Sequence, residues 1–312
     1  MPSDSDVLSA PSLLVAHFSA VSCSAALFGL LTLYCSPIVP KALQRLFRYG
    51  KTAETHKSVL QVPKRWFQHF YVFASLLYAL LFLSLLRLYV FQLPVPQLLA
   101  LLLDTCVGQS RRPVCSAESV VLSMLLMCLQ VCRRLYECTR LSVFSQDGKM
   151  AAAHYFCGFS FYLGVGLALL ADAHGFPGTP DSLPPQLQWT AIFRLNHIIG
   201  SVLFLIANLI QFKSHSILAN LRKDRNGRVV TFQHSIPRGS LFELVSCPHY
   251  FAEIVVYFSL AVVLAFQSPN WWLVFAFVTT NQLIVGLFNH YWYLKRFPDY
   301  PSKRKAVIPF LL

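Results

Sequence analysis

The sequence predicts an all-α, multi-pass transmembrane bundle of about seven helices, and three observations predict it. Hydrophobic residues make up 55% of the chain and charged residues only 12%, against about 25% charged in an ordinary soluble domain. The apolar residues gather in runs of about 20, the length a helix needs to cross a bilayer. The basic residues, which bring the net charge to +13, fall in short clusters between those runs. That spacing fits membrane topology and lacks the single basic stripe of a nucleic-acid binder.

The first run covers residues 12–35. It has no basic flank and follows Asp4 and Asp6, as expected of an uncleaved anchor rather than a signal peptide. The second covers 68–91. Pro94 to Val107 is apolar but short, and reads as a re-entrant or interfacial stretch. The third run, 117–141, is interrupted by Arg133 and Arg134, so six crossings is the alternative count. Runs 150–171, 189–212, 248–267 and 270–294 complete the set.

Charge orients the bundle. Every Lys and Arg except Arg87, Arg111, Arg112 and Arg194 falls in the same alternate connections or in the tail, from the segment 41–67 to Lys303-Arg304-Lys305. Asp172 and Asp181 lie in the opposite connections. Positive charge stays cytosolic, so a lumenal N-terminus and a cytosolic C-terminus are expected. Between 220 and 247 the longest polar stretch contains Asp224-Arg225-Asn226-Gly227, a tight-turn sequence. Pro-rich Gly175 to Pro185 is an expected ordered lumenal connection. Nine Cys form no C-x-x-C pair. Cys128 and Cys132 share a helix face, but two thiols do not complete a zinc site, so no metal is expected.

Polar residues recur inside three apolar runs. His197, Ser201, Asn208, Gln211 and His215 follow helical steps in the fifth. His249, Glu253 and Tyr257 lie one four-residue step apart in the sixth, with Tyr250 alongside. Gln282, Gly286, Asn289, His290 and Tyr293 share a face of the seventh. An ionisable group in lipid costs roughly 2.5–3.5 kcal/mol, so such stripes should face one another or a cavity. Interhelical hydrogen bonding is the competing reading for any single Ser or Asn. Together, Glu253, His249 and His290 argue for a polar chamber open to the cytosol. Arg222, Lys223, Arg225, Arg228 and Arg238 adjoin it, and suit either anionic headgroups or a phosphorylated cofactor. No Rossmann G-x-G-x-x-G and no P-loop occurs, so a dinucleotide would lie among the helices and their cytosolic loops.

Three passages then carry a resemblance: Ser216-Ile217-Leu218-Ala219-Asn220-Leu221-Arg222-Lys223, the run from Ile236-Pro237-Arg238-Gly239 to Pro248-His249-Tyr250-Phe251-Ala252-Glu253, and Tyr300-Pro301-Ser302-Lys303-Arg304-Lys305-Ala306-Val307-Ile308-Pro309-Phe310. Over residues 205–312 their order and spacing resemble the steroid 5α-reductase family, in particular its polyprenol-reducing branch. Arg48-Tyr49-Gly50-Lys51, Val62-Pro63-Lys64-Arg65 and Arg133-Arg134-Leu135-Tyr136-Glu137-Cys138 extend the likeness toward the N-terminus. The resemblance implies a single membrane domain, 1–312, in the endoplasmic reticulum. Residues 1–145 would form its lipid-substrate side, and 146–312 its NADPH-binding region. Cofactor contacts map onto Arg134, Gln211, His215, Arg222, His234, His249, Tyr250, Glu253 and Tyr293, with Arg304 among the tail cations that neutralise phosphate.

Several positions depart from the steroid-reducing members. Gln211, His215 and His234 stand where those have Asn, Asp and Tyr, and His249 where they have Asn. Val285 replaces an Arg and Asn289 a His. Val131 falls at the place of the catalytic Tyr, and His69 is aligned with the catalytic acid. The branch implies reduction of the α-isoprene unit of a polyprenyl lipid, a step toward dolichol. Hydride adds readily only to a conjugated, electrophilic carbon, so the enal polyprenal is expected as substrate rather than the alcohol. Enolate charge then develops on the aldehyde oxygen and needs a donor. His290 is the expected donor, flanked by Asn289 and Tyr293, with Tyr71, His69 and Tyr136 in reserve. A steroid 4-ene-3-one reductase, an isoprenylcysteine-type membrane methyltransferase and a lipid-binding scaffold are the alternatives.

Overall fold

The computed structural model describes residues 12–41, 44, 60–109, 111–176 and 184–312. Asp4, Asp6, Arg45, Arg48, Tyr49, Gly50, Lys51, Lys57 and Asp181 lie outside them, as do residues 177–183 of the Pro-rich connection. In chain order the helices are α1 (Leu13–Tyr34), α2 (Phe67–Tyr89), α3 (Gln97–Cys106), α4 (Ala117–Tyr136), α5 (Ala152–Ala171), α6 (Leu195–Asn220), α7 (Pro248–Val263) and α8 (Pro269–Arg296). Six of them, all but α3 and α7, are long and apolar enough to cross a membrane. The chain is a multi-pass membrane protein. Short α3 spans only about 15 Å, in keeping with the interfacial reading of 94–107.

The sequence predicts a seventh span over 248–267, but α7 stops at Val263 after 16 residues. That is about 24 Å, short of the roughly 30 Å hydrocarbon core. The cause is local: Ala265 and Phe266 adopt left-handed φ values of 52° and 60°. They turn the chain into Ser268, whose Oγ accepts from Trp271 N at 3.0 Å and caps α8. Helix α7 lies against α6 at close range. A Cβ on Gly200 would sit 2.5 Å from Val263 Cγ2 and 2.8 Å from Ser259 O.

The described parts of the basic connections, at Lys64, 142–150 and 221–246, meet around one cavity. There β1 (Gln61–Pro63) pairs antiparallel with β2 (Lys149–Ala151), Pro63 opposite Lys149. The Asp224 turn forms as its sequence predicts: Asn226 N and Arg228 N donate to Asp224 Oδ1 at 2.9 and 2.8 Å, and Gly227 takes φ 78°. The tail folds back, with Ser246 N donating to Lys305 O at 2.8 Å and Cys247 N to Ala306 O at 3.0 Å. Its Val307 is fully buried against Gly286, where a Cβ would meet Val307 Cγ2. At the other end Asp172 accepts from Ser268 Oγ and from Asn270 Nδ2, the latter at 2.7 Å. Burial raises its carboxyl pKa, and those donors oppose the rise.

Candidate active site

The basic end opens into a cavity of about 790 Å3 lined by α1, α2, α4, α5, α6, α7, α8 and the 142–150 and 221–246 connections. Its size is that of a small-molecule or cofactor site, about 300–1,000 Å3. One wall is apolar: Val21, Ala25, Phe67, Phe70, Phe161 and Phe277 form a slot between α1, α2, α5 and α8. The other wall is polar, and its floor is a hydrogen-bonded network.

Glu137 anchors that network. It is fully buried where α4 widens into a looser turn, Ser142 N donating to Glu137 O five residues back at 2.7 Å. Its carboxylate accepts from Arg133 Nη1 and Arg134 Nη1 and lies 2.8 Å from His215 Nδ1. The same Nδ1 is 2.7 Å from Arg134 Nη1. A single ring nitrogen cannot both donate to the carboxylate and accept from the guanidinium, so the His215 tautomer selects one of these contacts. Arg133 also donates to Asn208 Oδ1 at 2.7 Å, to Gln130 Oε1 at 2.8 Å and to Gln211. Gln211 Nε2 donates to Glu253 and to His249 O, the latter at 3.2 Å. Gln130 Nε2 reaches Glu253 at 3.2 Å.

Arg134 links this network to the slot. Its Nε donates to Tyr71 Oη at 3.2 Å, and its guanidinium carbon lies 5.2 Å from the Tyr71 ring centroid. Tyr162 packs against Tyr71 at 5.5 Å. Tyr71 is therefore a buried phenol where polar floor meets apolar wall, its oxygen already accepting from a cation. The Tyr162 hydroxyl is its second hydrogen-bond neighbour, so Tyr71 donates to a ligand where Tyr162 supplies its own proton to the pair.

The sequence-predicted positions divide. Arg134, Gln211, His215, Arg222, His234, His249, Tyr250, Glu253 and Tyr293 all line the cavity. His290 does not. Its Nδ1 lies 2.7 Å from Ser246 Oγ, which also meets Tyr300 Oη at 2.6 Å. Helical spacing explains the difference: His290 stands four residues after Gly286, on the edge that meets the tail, whereas Gln282, Asn289 and Tyr293 face the cavity. His69 is likewise outside the lining, its Nδ1 3.2 Å from Tyr155 Oη and its ring 5.5 Å from Trp66. Tyr136 is exposed. Arg304 is buried and does not reach the cavity: it donates to Pro237 O at 2.9 Å and Glu243 Oε2 at 3.1 Å. Its guanidinium lies over Tyr300, which stacks on Tyr293 at 5.1 Å. The α6 stripe is not one face of one chamber either. From His197 to His215 it runs about 27 Å, and His197 Nε2 pairs with Ser119 Oγ at 2.8 Å at the far end.

Sequence reasoning did not single out Lys64, Lys149, His154, Tyr162 or Asn281, which line the cavity, or Glu137 as its anchor. For Glu137 a signal existed: it stands three and four residues after Arg134 and Arg133, the spacing of helical ion pairs.

Apolar helices enclosing a half-apolar, half-cationic cavity define a membrane-embedded enzyme-like site for a lipid and a charged partner. Residues 181–312 match the family described as 3-oxo-5-alpha-steroid 4-dehydrogenase. The polyprenal reductase of Xenopus tropicalis is 39% identical, over 86% of this chain and 87% of that protein. Those of Danio rerio and Homo sapiens are 37% and 36% identical, over 88% and 86% of this chain and 89% and 85% of their own lengths. The chain belongs to the steroid 5α-reductase family, in the branch of the polyprenal reductases.

Proposed function

We propose that this protein reduces the α-isoprene double bond of polyprenal with NADPH, in the endoplasmic-reticulum membrane and toward dolichol. The basic end then faces the cytosol, α7 completes a seventh, short crossing beside α6, and the N-terminus is lumenal. The observation that carries the reading is Tyr71, held by Arg134 where the polar floor meets the apolar slot.

The residues fit a phosphorylated dinucleotide. Glu253 offers a carboxylate acceptor for a carboxamide, held in place by Gln211, and Arg222 and its neighbours offer charge for phosphates. Bound NADPH supplies the hydride that adds to the β-carbon of the enal. Tyr71 would donate a hydrogen bond to the aldehyde oxygen as enolate charge grows there, the role expected of His290. A proton drawn from the solvent-facing side of the cavity then reaches the α-carbon to complete the saturated aldehyde. Arg134 orients that donor, since its Nε hydrogen bond and the stacked guanidinium fix the Tyr71 hydroxyl at the edge of the slot. Glu137 keeps Arg134 in place. His249 and Tyr250, whose rings lie 4.2 Å apart, wall the cofactor side. The aromatic slot takes the isoprenoid and excludes water from the reacting carbons.

The test is nicotinamide oxidation by purified protein in detergent, with polyprenal, polyprenol and testosterone supplied in turn. Polyprenal should be consumed fastest and gain two hydrogens by mass spectrometry. Turnover of testosterone alone would favour the steroid activity named by the matched family. Binding of S-adenosylmethionine without NADPH would overturn the reductase reading.

A further inference from the structure

Helices α2 and α5 approach closely where α5 carries glycine. A Cβ on Gly158 would lie 2.7 Å from Phe70 Cδ1, and one on Gly166 would lie 2.7 Å from Leu81 Cδ1. Tyr162 stands four residues from each, so helical spacing turns it toward α2 between the two close approaches. It is buried, and Phe70 stacks against its ring with centroids 6.2 Å apart. Tyr78 Oη donates to its carbonyl at 3.1 Å. The Tyr162 hydroxyl itself bonds that of Tyr71, and both side chains line the cavity. Another buried phenol lies close by: the Tyr257 ring is 6.1 Å from that of Phe161. Among the described residues its hydroxyl has no hydrogen-bond partner.

Two phenols that share one hydrogen bond have two protons between them, so one proton is left to point elsewhere. Tyr71 Oη already accepts from Arg134 Nε at 3.2 Å. When Tyr162 also donates to that oxygen, its lone pairs are taken and the Tyr71 proton has the cavity to enter. In the reverse order Tyr71 spends its proton on Tyr162 and offers a ligand none. An oxygen gaining negative charge beside Tyr71 favours the first order, and each hydrogen bond in such a chain strengthens the next. We infer that Tyr162 is a positioning residue of the reduction: by donating to Tyr71 it turns the Tyr71 proton toward the aldehyde oxygen and strengthens that hydrogen bond. Both phenols keep their protons throughout, and only the direction and strength of their hydrogen bonds change. This rests on the reading of Tyr71 as donor and adds the group that sets its direction.

The experiment measures kcat and KM for polyprenal and NADPH with the purified full-length chain in nanodiscs. Tyr162→Phe should lower kcat about tenfold, the worth of one hydrogen bond, with both KM values within about twofold of wild type. Tyr257→Phe removes a buried phenol oxygen that bonds nothing, and should keep kcat within about twofold. The double variant Tyr71→Phe/Tyr162→Phe should be no slower than Tyr71→Phe alone, because the second hydroxyl acts only through the first. Fluorotyrosines of rising acidity placed at position 162 should raise kcat stepwise, a trend that a packing role does not produce. Normal kcat in Tyr162→Phe, or an equal loss in Tyr257→Phe, would overturn the inference. So would a double variant slowed by the product of the two single losses, or a flat or falling fluorotyrosine series. Normal turnover in Tyr71→Phe would instead remove the donor reading itself. A loss in Tyr71→Phe with none in Tyr162→Phe leaves that reading standing and removes only the role of Tyr162.

Discussion

Replacing Glu137 with Gln removes one negative charge from the centre of the site and almost nothing else. Glu137 has no exposed surface, and the side chains of Arg133 and Arg134 are 17% and 13% exposed. In the variant two guanidiniums would share one amide oxygen, and the amide nitrogen would point a donor at donors. Breaking a buried ion pair from one side costs about 3–5 kcal/mol. At about 2–4 °C per kcal/mol for chains of 150–250 residues, the melting point should fall on the order of 10 °C. The assay is survival of the monodisperse peak after heating in detergent, followed by size-exclusion chromatography. A second variant makes the argument sharper. Arg133→Gln combined with Glu137→Gln removes one stranded cation, so the pair should melt above Glu137→Gln alone, with a coupling of at least about 1 kcal/mol. A melting point within about 2 °C of wild type, or two additive substitutions, would refute the view that Glu137 is the electrostatic anchor.

Tyr71→Phe should lower kcat with polyprenal about 10²–10³-fold while NADPH affinity stays within about twofold; near-normal turnover would remove Tyr71 from the mechanism. Gly158→Ala places a Cβ 2.7 Å from Phe70 Cδ1. Phe67 and Tyr71 back that ring at 4.6 and 4.9 Å, so it should swing into the slot and depress kcat/KM for polyprenal more than for geranial, the two-isoprene enal. Equal losses for both aldehydes would show that the slot is not the prenyl path. The Glu243 carboxyl is held below the usual range, chiefly by Gly239 N–H and then by Arg304. A depressed carboxylate pKa contributes stability above its unfolded value, about 4.3, and loses it as pH falls through the lower folded value. Glu243→Gln should therefore melt slightly below wild type at neutral pH, by up to about 1 kcal/mol for so exposed a pair. The two curves should converge in acid, and a gap that widens there would contradict the assignment.

How much of this was legible in the sequence depends on the distance over which each feature is specified. Spans such as α2 and α5 are local facts, because a run of about 20 apolar residues has no other soluble or membrane solution. The polar cavity face was legible in part, since Gln211, Glu253 and Tyr293 sit on periodic stripes. Periodicity gives a direction around one helix but not the neighbour waiting there. His290 and Asn289 are adjacent in sequence and about 100° apart around α8. That rotation sends one toward Ser246 and Tyr300 and the other into the cavity. The end of α7 was hidden for a different reason: Ala265 and Phe266 take left-handed backbone without a glycine to announce it. Lys64 was visible in the passage Val62-Pro63-Lys64-Arg65, but its position beside Lys149 in the cavity lining was not. Each sits at a three-residue strand too short to show a period, and only their pairing makes them neighbours. What a chain writes locally is its solvent; what it does there is decided by contacts between segments that carry no shared pattern. For this bundle the proposed donor is of that second kind, so substitution at Tyr71 tests the function more directly than the helix pattern does.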